Sequence, residues 1–218
     1  MNVNHTIKGI IFDLDGVIVY TDEMHYRAWK HIADRIGVEF NRDINNRLRG
    51  VSRMESLEII LENAKPVSDA EKLALSDEKN AIYKKLLESL SEKDVDSDVR
   101  RVLRELKKRN IKLAIGSSSK NAGFILKQIK LTDFFDAVSD GNNIEKSKPD
   151  PEVFLKAAEF LKLMPSECAV VEDAYAGIDA AKAGGFYSVG IGAASAYDKA
   201  DMKIHRFSEV LKLATLKK

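Results

Sequence analysis

The chain has 218 residues, enough for one large domain or a core with a small companion. With 35 Lys+Arg against 34 Asp+Glu its formal charge is +1, so no general attraction to nucleic acid or to an anionic membrane is expected. A single cysteine, Cys168, rules out an internal disulfide and sits at the start of an apolar run as a buried structural thiol. No stretch reaches the ~18 apolar residues that span a bilayer, and residues 1–8 lack an apolar leader, which predicts a cytoplasmic protein.

In chain order, Ile10-Ile11-Phe12 followed by Asp13-Leu14-Asp15-Gly16 reads as a buried strand that carries two carboxylates to its C-terminal edge. That edge is where open α/β sheets place ligands. Two acids so close repel unless a hard cation such as Mg²⁺ neutralises them, and a carboxylate can also attack phosphorus as a nucleophile. A plain turn after a strand has the same composition. An EF-hand loop is excluded, because Asp15 is followed directly by Gly16 and position 22 is Asp22 rather than Glu.

Helical spacing then takes over. Trp29, Ile32, Ala33 and Ile36 form one apolar stripe on a helix from about Asp22 to Gly37, with the glycine as its stop. Ser52 with Glu55, and Ser68 with Glu71, fit capping boxes and open two further helices. Leu57, Ile60 and Leu61 supply the apolar face of one; Leu73, Ile82, Leu86 and Leu90 supply that of the other. No strand is expected between Val19 and Ser91, so residues 19–91 form an all-helical insertion between residues 1–18 and 92–218.

From Asp98 strands alternate with helices. A helix with Val99, Val102, Leu103 and Leu106 inward precedes a strand at Ile111 to Ile115, which ends in Gly116 and three serines. A helix over Ala122 to Lys130 leads to a short strand at Asp136 to Val138. Asp150 and Pro151 read as N-cap and first residue of the next helix. Cys168 to Val171 is a strand ending in Glu172 and Asp173; a helix over Ala174 to Ala183 and a strand at Tyr187 to Ile191 complete the series. The alternation predicts an α/β fold, a doubly wound parallel sheet interrupted by the helical insertion.

If the sheet is parallel, Asp13, Asp15, Ser117, Lys148, Glu172 and Asp173 all lie on one edge. These groups divide the work of phosphoryl transfer. Carboxylates hold a metal, a hydroxyl and backbone N–H groups hold phosphate oxygens, and an ammonium offsets the charge of the moving group.

Asp13-Leu14-Asp15-Gly16, Ser117, Lys148-Pro149 and Glu172-Asp173 resemble, in order and spacing, the four motifs of the haloacid dehalogenase superfamily, and the insertion resembles its first-type helical cap. Thr21, His25, Arg27, Ala28 and Trp29, with Leu48 to Arg53 and Ser117 to Asn121, further resemble the β-phosphoglucomutase family. That resemblance implies a mutase that interconverts β-D-glucose 1-phosphate and glucose 6-phosphate through an aspartyl phosphate and a bisphosphate intermediate, with Mg²⁺ as cofactor. A sugar-phosphate phosphatase is the alternative, and a non-catalytic binding protein the reading from another class. The resemblance makes Asp13 the nucleophile and Asp15 the general acid/base. It assigns the metal to Asp13, Asp15, Glu172 and Asp173, and the transferring phosphate to Ser117 and Lys148. Thr21 and His25 fall at the hinge and proton relay. Arg49, Gly50, Val51, Ser52, Arg53, Ser118, Ser119, Lys120 and Asn121 line the substrate site. Small sugar phosphates are the expected partners of a monomer, with no nucleic acid or membrane. Two positions depart from the family: Arg49 replaces a Lys, and Tyr20 replaces an Asp.

Overall fold

The computed structural model describes residues 6–215; residues 1–5 and 216–218, at the ends of the expected core, lie outside the described residues. The strands are β1 (Gly9–Phe12), β2 (Lys112–Gly116), β3 (Ala137–Ser139), β4 (Cys168–Glu172), β5 (Tyr187–Gly190) and β6 (Met202–Lys203). The described strands are all parallel, in the order β3-β2-β1-β4-β5-β6, as a doubly wound sheet requires. β6 was not expected; at two residues it is too short to leave an alternating pattern.

The sheet is buried on both faces, and the period of two sorts its side chains. Ile10, Phe12, Leu113, Ile115 and Val171 face one layer, with Val99, Val102, Leu103 and Leu106 of α5 (Ser97–Lys108) and Ile125 of α6 (Ala122–Gln128). Ile11, Ala114, Cys168 and Val170 face the other, against Phe154, Ala157 and Leu161 of α7 (Glu152–Leu161) and Ala180 and Ala181 of α8 (Tyr175–Ala183). α7 begins one residue later than predicted: Pro151 occupies the cap position, and the Asp150 carboxylate accepts the Glu152 N–H at 3.0 Å.

Between β1 and α5 lie α1 (Asp22–Ile36), α2 (Arg42–Arg47), α3 (Arg53–Leu61) and α4 (Asp69–Leu87). Gly37 ends α1 in the left-handed region at φ 70°, and both predicted capping boxes are closed in the structure. α2 escaped the sequence reading because its six residues, capped by Asn41, carry too few apolar side chains to show a period. Trp29, Ile32, Ala33, Phe40, Leu57, Ile60 and Leu75 give the insertion a core of its own, while Tyr83, Leu87 and Leu90 root it in the sheet's core.

The expected inward face of α4 is met in part: Ile82 and Leu86 pack against the cores, and Leu90 is buried just past the helix. Leu73 is 58% exposed, and the buried face carries Leu75, Ser76, Lys79, Tyr83 and Leu87. Hydrophobic spacing missed the polar members of this face, of which Lys79 lines the cavity described below. Among the described residues no helix is long and apolar enough to cross a membrane.

Ser68→Ala removes the side-chain half of a closed capping box and is expected to cost about 1 kcal/mol. Urea unfolding should show a lower midpoint with an unchanged slope; an unshifted midpoint would contradict the role of the cap.

Candidate active site

The strand register brings the motif residues together. Phe12 is level with Ile115 on one side and Val171 on the other, so Asp13, Ser117 and Glu172-Asp173 leave the sheet at one height. The Asp13 N–H still donates to the Val171 carbonyl at 3.0 Å, and the Ser117 N–H to Ser139 at 3.1 Å, which fixes both backbones where the side chains turn out. Gly16 is obligatory at this corner. Its φ is +91°, and a Cβ there would stand 2.3 Å from the Asp173 carboxylate.

Lys148 is fully buried. Its ammonium donates to Asp13 and, at 2.7 Å, to Glu172, and it lies 4.8 Å from the centre of the Phe154 ring. The other Glu172 oxygen accepts the Ala174 N–H at 2.7 Å. Glu172 is thus directed at Lys148 and the start of α8, against Gly177, where a Cβ would stand 2.0 Å from its carboxylate. Burial works against the Lys148 charge, and its two carboxylate partners more than offset this, so its pKa is raised. Burial pushes the Asp13 carboxyl well above its usual range; Lys148 opposes this, and Glu172, Asp15 and Asp173 add repulsion.

Asp15 stands in a separate network. Its carboxylate accepts from the Thr21 hydroxyl and lies 3.5 Å from the Tyr83 hydroxyl, both from the insertion. Thr21 occupies the N-cap position of α1 without capping it, since its hydroxyl is turned to Asp15. Burial raises the Asp15 pKa against the hydrogen bond from Thr21 and the charges of Lys148 and Lys79. Behind it, Lys79 is buried with its ammonium 2.9 Å from His25 Nδ1 and over the rings of Tyr83 and Trp29. Burial, then the Arg53 charge, lowers Lys79 to about 7, with Asp15 opposing. Burial, then the Lys79 charge, lowers His25 well below its usual value.

From the insertion side, Arg49 reaches Asp173 and Asp22, each at 3.2 Å, and Arg53 donates to the Ser76 carbonyl at 3.1 Å. Burial, then repulsion from Glu172, raises Asp173 to about 7, with Arg49 opposing. A cavity of about 760 Å³, well within the range of small-molecule sites, takes in all the predicted site residues, from Asp13 and Asp15 to Lys148, Glu172 and Asp173. Gly50, Val51, Ser52, Ser119, Lys120 and Asn121 are among those lining it. Sequence reasoning missed Lys79, Asn80 and Tyr83 in this site. The available signal was the i, i+4 series Leu75, Lys79, Tyr83, Leu87, which places a lysine in phase with core positions.

The donor set suits a hard divalent cation. Asp13 and Asp173 stand close to Glu172 and Asp15, and burial with repulsion from these neighbours holds both carboxyls above their usual range, a repulsion that a bound cation would offset. Among the described residues no three acidic, His or Cys side chains already form a ligand cluster, because Lys148, Arg49 and Thr21 hold their carboxylates.

Comparison with known proteins places this geometry. A family model of haloacid dehalogenase-like hydrolases matches residues 7–185. The chain belongs to that family. Within it, the chain is 44% identical to a β-phosphoglucomutase of Bacillus subtilis, over 94% of this chain and 92% of the relative. It is 30% identical to a phosphorylated carbohydrates phosphatase of Thermotoga maritima, over 82% of each. A crystal structure of β-phosphoglucomutase from Clostridium difficile superposes with a TM-score of 0.90 at 36% identity, covering 96% of this chain and 97% of that one. In this haloacid dehalogenase-like chain the four superfamily motifs therefore sit on one sheet edge under a helical insertion, as the resemblance implied.

The buried lysine of α4 gives the site a pH signature. Lys79 is held near 7 when folded, against an ordinary 10.5. Between those values the unfolded chain binds the extra proton, so stability rises as pH goes from 7 to 10.5, and below 7 the full penalty is present. Lys79→Met should lack that rise in denaturant unfolding measured across the range; parallel profiles for the two proteins would contradict the burial of a strained ammonium.

Proposed function

We infer that the protein is a Mg²⁺-dependent sugar-phosphate mutase that interconverts β-D-glucose 1-phosphate and glucose 6-phosphate, with residues 19–91 as a cap over a core of residues 1–18 and 92–218. The observation that carries this reading is the separation of the two motif carboxylates. Asp13 pairs with Lys148 of the core, whereas Asp15 is bonded to Thr21 and faces Tyr83, both of the cap. Two carboxyls in different surroundings take different roles. The similarity to β-phosphoglucomutases over nearly the whole chain supports glucose phosphates as substrates.

In this reading Asp13 attacks the phosphorus of a sugar phosphate and becomes the aspartyl phosphate. Lys148, already charged and held by Glu172, neutralises the oxygens of the moving group, and Ser117 donates to them. Asp15 gives a proton to the leaving sugar oxygen and then accepts the proton of the incoming 1- or 6-hydroxyl, and burial raises its pKa in the direction a general acid needs. Asp13 and Asp173, with the backbone carbonyl of Asp15, would hold Mg²⁺, and Glu172 would support the set through Lys148. When bound, the ion supplies charge neutralisation at the phosphoryl group. Arg49 and Arg53 with Gly50, Val51 and Ser52, at the N-terminus of α3, grip the distal phosphate of the bisphosphate, opposite Ser118, Ser119, Lys120 and Asn121. Thr21 and His25, with Lys79 beyond, connect Asp15 to the cap hinge.

The deciding assay supplies β-glucose 1-phosphate, Mg²⁺ and a trace of the 1,6-bisphosphate, and follows glucose 6-phosphate and free phosphate together. Glucose 6-phosphate should dominate; stoichiometric free phosphate without isomerisation would identify a phosphatase instead. Asp13→Asn should abolish turnover. Asp15→Asn should still accept a phosphoryl group yet turn over sugar about 100-fold more slowly or worse, the loss expected for a general acid/base; near-normal rates in either variant would refute the roles.

A further inference from the structure

Besides the Arg49–Asp173 pair and the bonds of Thr21 and Tyr83 to Asp15, three hydrogen bonds among the described residues join cap and core around the cavity, each with its donor in the core. Asn121 Nδ2 donates to Asn80 Oδ1 at 2.9 Å, Ser118 Oγ to the Gly50 carbonyl at 3.0 Å, and Ser147 Oγ to the Glu55 carboxylate. Two of the core donors are immediate neighbours of the residues assigned to the transferring phosphate: Ser118 follows Ser117, and Ser147 precedes Lys148. Their cap acceptors, Gly50 and Glu55, lie three residues before and two residues after Arg53. Cap seating and phosphate binding are thus built into the same short loops.

The Ser147–Glu55 contact is the most sharply built of these. Glu55 is not a free surface carboxylate, for the same Oε2 that meets Ser147 also accepts the Ser52 N–H at 2.8 Å as the return arm of the α3 capping box. The capping box therefore fixes the acceptor before the cap meets the core. Partial burial opposes ionisation of Glu55, and the hydrogen bonds from Ser147 and Ser52 outweigh it, leaving the carboxyl below its usual range. A charged acceptor makes the bond stronger than one between neutral groups. Ser147 in turn lies in the loop that delivers Lys148 to Asp13, so its backbone position is tied to the fully buried ammonium.

We propose that Ser147 and Glu55 form a latch that holds the cap down while Asp13 carries the phosphoryl group, and so sets how often water takes that group in place of the sugar. This rests on the mutase reading. In the competing reaction a water oxygen attacks phosphorus, the bond between phosphorus and Asp13 breaks, and the water proton passes to Asp15, leaving free phosphate and the Asp13 carboxylate. That reaction needs water beside the phosphorylated Asp13, and cap opening admits it. Ser147 and Glu55 act as positioning residues, away from the reacting atoms.

Ser147→Ala removes the hydroxyl and leaves the Ser52–Glu55 capping box intact, and Ser147→Thr keeps a donor. With β-glucose 1-phosphate, Mg²⁺ and a trace of bisphosphate, the ratio of free phosphate to glucose 6-phosphate is read for each protein in one reaction, together with its thermal midpoint. Ser147→Ala should raise that ratio about three- to tenfold, the factor expected from one hydrogen bond of ordinary net strength. Its midpoint should fall by no more than about 5 °C, as the loss of one such bond allows, and Ser147→Thr should restore the wild-type ratio. Wild-type isomerisation with an unaltered ratio in Ser147→Ala overturns the latch alone. A wild-type protein that makes only free phosphate overturns the mutase reading and the latch with it.

Discussion

A fully buried ammonium between two carboxylates is the constraint on which the rest of this structure depends. Lys148 comes from a loop after β3, Asp13 from the end of β1 and Glu172 from the end of β4, so one charged group pins three parts of the sheet edge. A lysine so placed is tolerable only when paired, and its partners are tolerable only because it is there. The fold meets this demand with small residues: Gly16 leaves room for Asp173, and Gly177 leaves room for Glu172. The register of β1 with β2 and β4 then decides which groups share the site.

The second organising feature is the division of the site between two bodies. The core supplies Asp13, its Lys148 partner and the Ser117 loop, while the helical insertion supplies the partners of Asp15. The polar face of α4 accounts for this. Lys79 and Asn80 line the cavity, Tyr83 turns its hydroxyl to Asp15, and the apolar cores on either side hold the helix in place. In the proposed mutase, Asp15 is fully assembled only when the insertion that carries Thr21 and Tyr83 is seated, which would tie proton transfer to the exclusion of water.

Much of this was legible in the chain. The apolar runs of β1 and β4 and the stripe of α5 are long enough to reveal period and burial, and Ser52 and Ser68 announced two helices by their capping chemistry. The motif carboxylates, Ser117 and Lys148 were legible because their types and their positions after strands are themselves the chemistry. What stayed hidden was polar and tertiary. Lys79 and Tyr83 lie in phase with core residues, where a lysine reads as a break in the pattern, and Leu73, apolar by type, points outward. α2 and β6 are too short to carry a period. The partners of Glu172, which turn it toward Lys148 and Ala174, belong to the folded arrangement alone.

The central claim is that this pinned sheet edge makes Asp13 the carrier of the phosphoryl group and passes it to sugar. The most direct measurement incubates the protein with β-glucose 1,6-bisphosphate labelled in its phosphates, maps the labelled residue by mass spectrometry, and chases with unlabelled glucose 1-phosphate. The account predicts label on Asp13 alone, then its transfer into sugar bisphosphate. Label on another residue, or label that leaves Asp13 only as free phosphate, would contradict it.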